Sequence, residues 1–132
     1  MILPNYYLLM SSSLFSVPML YGIYKKKYLL STITGCAMFF SMLYWISPVE
    51  GLTQNLDLMM SKLSGITYFL YGVYKINNHF SKLIGCTNLS LMMTCYNSSC
   101  SLYNIQDDKW IYYHVGFHLF TVIGKMFVLE FS

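Results

Sequence analysis

Four polar residues near the end of the chain, His114, His118, Thr121 and Lys125, follow the spacing i, i+4, i+7, i+11. On a helix they fall on one face. Two imidazoles one turn apart suit a single metal ion. A second stripe, Asp57, Ser61, Ser64, Tyr68, Tyr71 and Lys75, has the same period, and its aspartate is expected at the same depth as the histidine pair. Two imidazoles and a carboxylate can hold zinc and leave one position open for an activated water. His114, His118 and Asp57 are therefore the candidate metal ligands, with zinc the candidate cofactor. The same His-x-x-x-His spacing also arises from histidines that hydrogen-bond between helices. Haem is disfavoured, since histidines one turn apart cannot supply opposite axial ligands.

Further polar side chains fall within apolar runs: Ser41 and Tyr44, Ser61, Asn88 and Lys125. An ionisable or amide group in such a run faces a bundle interior or a water-filled cavity, because exposure to lipid costs several kcal/mol. Asn88 is expected to make an interhelical hydrogen bond, worth about 0.6 to 2 kcal/mol.

The elements carrying these residues are apolar helices. Of 132 residues, 56% are hydrophobic and 10% charged, against roughly a quarter charged in an ordinary soluble domain. Two charge-free runs, Tyr6 to Tyr24 and Tyr28 to Ile46, flank Lys25, Lys26 and Lys27. Each is about 28 Å long as a helix, close to the thickness of a bilayer core. The expected fold is an all-α polytopic transmembrane bundle of five spans, at about 6–24, 28–46, 57–74, 80–96 and 110–131. Pro18 should kink the first span, and Ser47 and Pro48 should stop the second. A polar linker carrying Glu50 should follow, with Asn97 to Lys109 as a loop. Trp45 and Trp110 suit an interfacial aromatic belt. The lysines at 25 to 27, 75, 82 and 125 fall on one side, which places the N-terminus outside and the C-terminus in the cytoplasm.

A shift of fifty residues aligns Leu20-Tyr21-Gly22-Ile23-Tyr24-Lys25 with Leu70-Tyr71-Gly72-Val73-Tyr74-Lys75, and Gly35-Cys36 with Gly85-Cys86. Asn5, Leu8, Met10-Ser11, Ser31 and Met42 also match their counterparts. Duplication of a helical hairpin is one explanation, and chance likeness of two apolar hairpins is the other.

Several classes are disfavoured. The net charge of +3 comes from lysines at helix ends and not from a basic surface, so no nucleic-acid partner is expected. Cys36, Cys86, Cys95 and Cys100 lack Cys-x-x-Cys spacing, and only Cys95 and Cys100 are placed to pair. No basic segment precedes the first apolar run, which argues against a cleaved signal peptide.

An aspartate opening the third span, a serine late in the second and His-x-x-x-His in the last resemble the zinc-site residues of one superfamily. It contains the alkaline ceramidases, the progestin and adipoQ receptors and the haemolysin III proteins. The resemblance covers scattered positions and implies a zinc-dependent hydrolase acting on a lipid amide or similar bond. Those proteins have about seven spans and a further histidine near the serine. Here Tyr44 falls near that place, which would suit a degenerate or non-catalytic relative. The residues themselves favour a structural or interaction role within a membrane, with the bilayer as partner and a homo-oligomer as a further option. The alternatives are the metal-dependent hydrolase and an oligomeric transporter or channel.

Overall fold

A computed structural model describes residues 4–46 and 51–132, and the side chains from residue 6 onward within the first of these segments. Ser47, Pro48 and Glu50, where the second span was expected to end and the linker to begin, lie outside the described residues. The described chain is all-α, with helices α1 (Pro4–Ser13), α2 (Ser16–Tyr24), α3 (Tyr28–Ile46), α4 (Leu52–Lys75), α5 (His79–Asn104) and α6 (Trp110–Phe131). Two of them, α3 and α6, are long and apolar enough to cross a membrane by length and composition.

The first expected span is two helices, and Pro18 explains where it divides. Proline has no N–H to give to the carbonyl four residues back, and its ring crowds that carbonyl. The affected group is Leu14 O, which instead accepts from Val17 N at 3.1 Å. Leu14 N and Phe15 N likewise bond three residues back, to Ser11 O and Ser12 O. The tightened turn re-aims α2 relative to α1. The fifty-residue shift sets Pro18 against Tyr68, and α4 runs through that position unbroken.

Two ends are closed by left-handed residues other than glycine. Lys26 has φ 61° and Gln106 φ 59°. After α2, Lys27 N bonds Gly22 O at 2.8 Å and Lys26 N bonds Ile23 O at 3.0 Å; after α5, Asp107 N and Gln106 N repeat the pattern on Leu102 O and Tyr103 O. These are Schellman closures. The second lies beyond Asn97–Ser101, which the sequence placed in a loop and the structure places in α5. Ser99 explains the extension: it is buried, and its hydroxyl donates to Trp110 O at 3.0 Å, which fastens the last turns of α5 to the start of α6. Cys95 and Cys100, the pair placed for a disulfide, are both free thiols on this helix. α4 begins five residues earlier than expected, so Asp57 sits more than a turn inside it.

α3 packs against α1, α2 and α4, while α6 packs against α5, α1 and α2. α4 and α5 are consecutive yet barely touch. Where Gly22 lets α2 approach Ser31 of α3, its counterpart Gly72 faces Val128 of α6. The second hairpin is thus splayed, with α6 against the position that its partner helix would otherwise fill. At the lysine-bearing end, Lys27 Nζ donates to Leu129 O at 3.2 Å and to Ser132 Oγ at 2.6 Å. Lys25 pairs with Glu130 at 3.6 Å, and the Tyr21 hydroxyl also donates to Glu130. A cation on the last carbonyls of α6 complements the helix dipole. Partial burial, followed by the charge of Lys25, lowers the Lys27 ammonium below the usual lysine range.

Gly22 and Gly65 respond oppositely to a methyl group. A Cβ at Gly22 would lie 3.1 Å from Ser31 Cβ, whereas one at Gly65 would meet nothing within 4 Å. Gly22→Ala is expected to destabilise the fold by about 1–3 kcal/mol through overpacking. Gly65→Ala should be neutral or stabilise α4 by up to about 1 kcal/mol. Thermal unfolding of the two variants in the same detergent distinguishes them by the sign of the shift.

Candidate functional site

The polar stripes of α4 and α6 turn inward. Asp57, Ser64 and Tyr68 of α4 and His118 and Lys125 of α6 are buried, as are Ser11, Ser12, Thr34 and Ser41. The interior is built largely of side chains that would ordinarily face water. Their period, near 3.6 residues on each helix, puts them on one face, and apolar neighbours occupy the other.

At the end of the bundle opposite Lys25, Lys26 and Lys27, α1 joins the two stripes. Ser11 Oγ donates to Leu8 O at 3.1 Å and lies 2.7 Å from His118 Nδ1. With the hydroxyl proton on Leu8 O, the contact is Nδ1–H donating to Ser11, which leaves His118 Nε2 as the ring's acceptor. Ser12 Oγ is 2.8 Å from Ser41 Oγ. Ser41 and Ser61 in turn are hydrogen-bonding neighbours of the Asp57 carboxylate, whose Oδ1 has no partner among the described residues. Adjacent serines on α1 therefore connect the histidine side of the site to the aspartate side. The serine run Ser11-Ser12-Ser13 inside an apolar segment was the sequence signal for these residues; only Ser11 was noted there, as a repeat match.

Aromatic rings close this end. His114 and His118 meet edge to face with centroids 4.8 Å apart, and Trp45 lies 5.4 Å from His114. Trp45 stacks on Trp110 at 6.3 Å and packs edge to face on Tyr44 at 4.7 Å. Trp45, expected in an interfacial belt, is buried among the rings of Tyr44, Trp110 and His114. Tyr44, expected near a lost ligand position, is half-buried beside it.

The fit to a zinc ion can be tested on the donors. Asp57 does offer an unpartnered buried oxygen. No three His, Cys, Asp or Glu side chains come together to hold a metal among the described residues. The expected set of His114, His118 and Asp57 thus reaches the same end of the bundle without converging on one point. The serines of α1 lie in the space between them. A three-ligand zinc centre does not fit this arrangement.

One turn and more deeper, the Tyr68 hydroxyl and Thr34 Oγ1 are 2.6 Å apart, and Thr34 also bonds Leu30 O at 2.8 Å. This pair sits in a small core with Leu30 and Leu129. Lys125 is 4% exposed. Its ammonium lies 5.0 Å from the centroid of Phe15 and 5.2 Å from that of Tyr68, and no carboxylate pairs with it among the described residues. Cation–π contacts of this kind contribute about 0.5–2 kcal/mol each, short of the several kcal/mol that burying an unpaired charge costs.

Asn88 makes the interhelical bond expected of it, donating Nδ2–H to Phe120 O at 3.0 Å. Gly124, which the sequence reading passed over, creates the space: a Cβ there would be 2.6 Å from Asn88 Nδ2. Alanine at 124 would push the amide off its carbonyl. Gly124→Ala is expected to cost about 1–2 kcal/mol in the native protein and much less in an Asn88→Ala background. A double-mutant cycle by chemical denaturation would show strong coupling; additive losses would mean that the two sites are independent.

Comparison of the chain with protein-family models, with curated proteins and with solved structures finds no match.

Proposed function

We propose that the protein is a multi-pass membrane protein of five spans, α1 and α2 together forming the first, with a structural or interaction role within the bilayer. The observation that carries this reading is the distribution of polarity. Large apolar side chains such as Leu20, Leu29, Phe39, Leu70, Leu83 and Ile123 face outward, while serine, threonine, aspartate, histidine and lysine are buried. Water would drive the opposite arrangement. A hydrocarbon surround makes it favourable, because there the polar groups must find partners inside the protein.

Outward-facing hydroxyls follow the same rule. Thr67, Thr87, Ser90 and Thr94 each donate to the carbonyl four residues back on their own helix. Such back-bonding leaves no hydroxyl proton for lipid to solvate. Inside, the hydrogen bonds run between helices, Ser12 to Ser41, Thr34 to Tyr68 and Asn88 to Phe120 O. Polar groups used in this way hold helices together, which favours a packing role over turnover.

A second reading is supported by Ser41, Asp57, His114 and His118 sharing one end of the interior. On it the chain is a degenerate relative of the zinc-dependent membrane hydrolases that its sequence resembles, with α1 serines standing where a metal would bring the donors together. Both readings expect protein purified without chelators to contain no stoichiometric zinc. Zinc at one atom per chain, lost in Asp57→Asn, would replace both with a metal-dependent activity.

The topology is tested with single cysteines introduced after the four native ones are changed to serine. In sealed microsomes, a membrane-impermeant maleimide is expected to label Gln106→Cys and Lys26→Cys from opposite sides, and alkaline carbonate should leave the protein in the membrane pellet. Release into the supernatant, or labelling of both positions from one side, would refute the five-span reading.

A further inference from the structure

The splaying of α4 from α5 leaves a cleft between them, floored by α6, with an interior volume of about 140 Å³. Phe69 of α4, Leu89 of α5 and Val128 of α6 give it apolar walls, and Lys125 lies at its inner end. Glycine keeps it open: Gly65 lines it, and a Cβ there would meet nothing within 4 Å. The fifty-residue shift sets Gly65 against Phe15, so the second hairpin has space where the first has a ring. Phe69 is exposed, and the cleft is continuous with the apolar exterior of α4.

We propose that this cleft binds an anionic single-chain amphiphile, its carboxylate on Lys125 and its hydrocarbon tail leaving between α4 and α5. The inference rests on the membrane reading, since it needs hydrocarbon outside the cleft. Lys125 is the second and independent observation: a cation 4% exposed, with no carboxylate paired to it among the described residues, lining a cleft whose other walls are largely apolar. Phe15 and Tyr68 face the Lys125 Nζ with π-clouds and supply no counter-ion. The buried His118, also lining the cleft, brings no negative charge. An anion entering there gains a charge-assisted bond in a dry site, and a chain of methylenes matches the walls. Depth selects the head group. Lys125 lies six residues, about 9 Å, from the end of α6, deeper than an interfacial phosphate sits.

The full chain, purified in a non-ionic detergent, is photolysed with palmitate carrying a mid-chain diazirine, and the labelled peptides are mapped by mass spectrometry. Saturable labelling on the facing walls of α4 and α5 is expected, with unlabelled palmitate competing and hexadecanol not. Lys125→Met should reduce it at least ten-fold. Gly65→Phe, which fills the cleft from a position with room for a ring, should do the same while leaving Lys125 in place. Undiminished labelling of Lys125→Met, equal competition by hexadecanol, or unsaturable labelling spread over all outward helix faces would overturn the proposal. Carbonate extraction reports separately on the membrane reading, so a protein that stays in the pellet but fails to label selectively refutes the cleft alone.

Discussion

Most of the buried polar side chains described in this protein meet a partner on another helix or on their own backbone, and those contacts set how the helices are arranged. Ser11 and Ser12 face inward because His118 and Ser41 are there to meet them; Tyr68 reaches α3 because Thr34 offers an oxygen. The conventional apolar core is small, centred on Leu30, Tyr68 and Leu129. Helices that would otherwise slide freely on an apolar face are held in register by these directional contacts, each worth about 1 kcal/mol net. Close approach at Gly22, Gly72 and Gly124 brings the donors and acceptors within reach.

Helix α6 has the most demanding position in this scheme. One face carries the histidines and Lys125 to the interior, another receives the Asn88 amide beside Gly124, and its C-terminal carbonyls accept from Lys27. Its contacts span both halves of the chain. Through it the two hairpins, alike in sequence at several positions, become unlike in structure: α2 and α3 close on each other, whereas α4 and α5 are held apart. The asymmetry separates the hydrogen-bonded serines of α1 from the region around Lys125, which has no carboxylate partner among the described residues.

The helical content and the inward stripes were legible in the sequence because both rest on period. Residues at i, i+4, i+7 and i+11 must share a face, and on these helices the polar face is largely the buried one. Asn88 was legible for the same reason. Four things were not. The break at Leu14 and Phe15 lies one turn before the proline that causes it, because the damaged carbonyl belongs to residue i−4. The helical course of Asn97 to Ser101 depends on Ser99 reaching Trp110 O, a tertiary contact that overrides the turn-forming composition. The separation of Asp57 from the histidine pair depends on which helices are neighbours, and spacing along one helix says nothing of that. The role of α1 was hidden by its hydrophobicity, since three consecutive serines in an apolar run read as tolerated small residues until their partners are known.

The placement of α6 also bears on how the protein is made. Of the six described helices it emerges from the ribosome after the other five, and α5 has its main packing partner there, as does Ser11 of α1 through His118. Until α6 arrives, α4 and α5 have little contact with each other to hold them, Asn88 and Ser99 wait without their acceptors, and Ser11 waits without the imidazole that donates to it. Closure of these contacts therefore waits on the emergence of α6, and a ribosome that stalls before Trp110 leaves behind a chain in which Asn88 and Ser99 have no native acceptor.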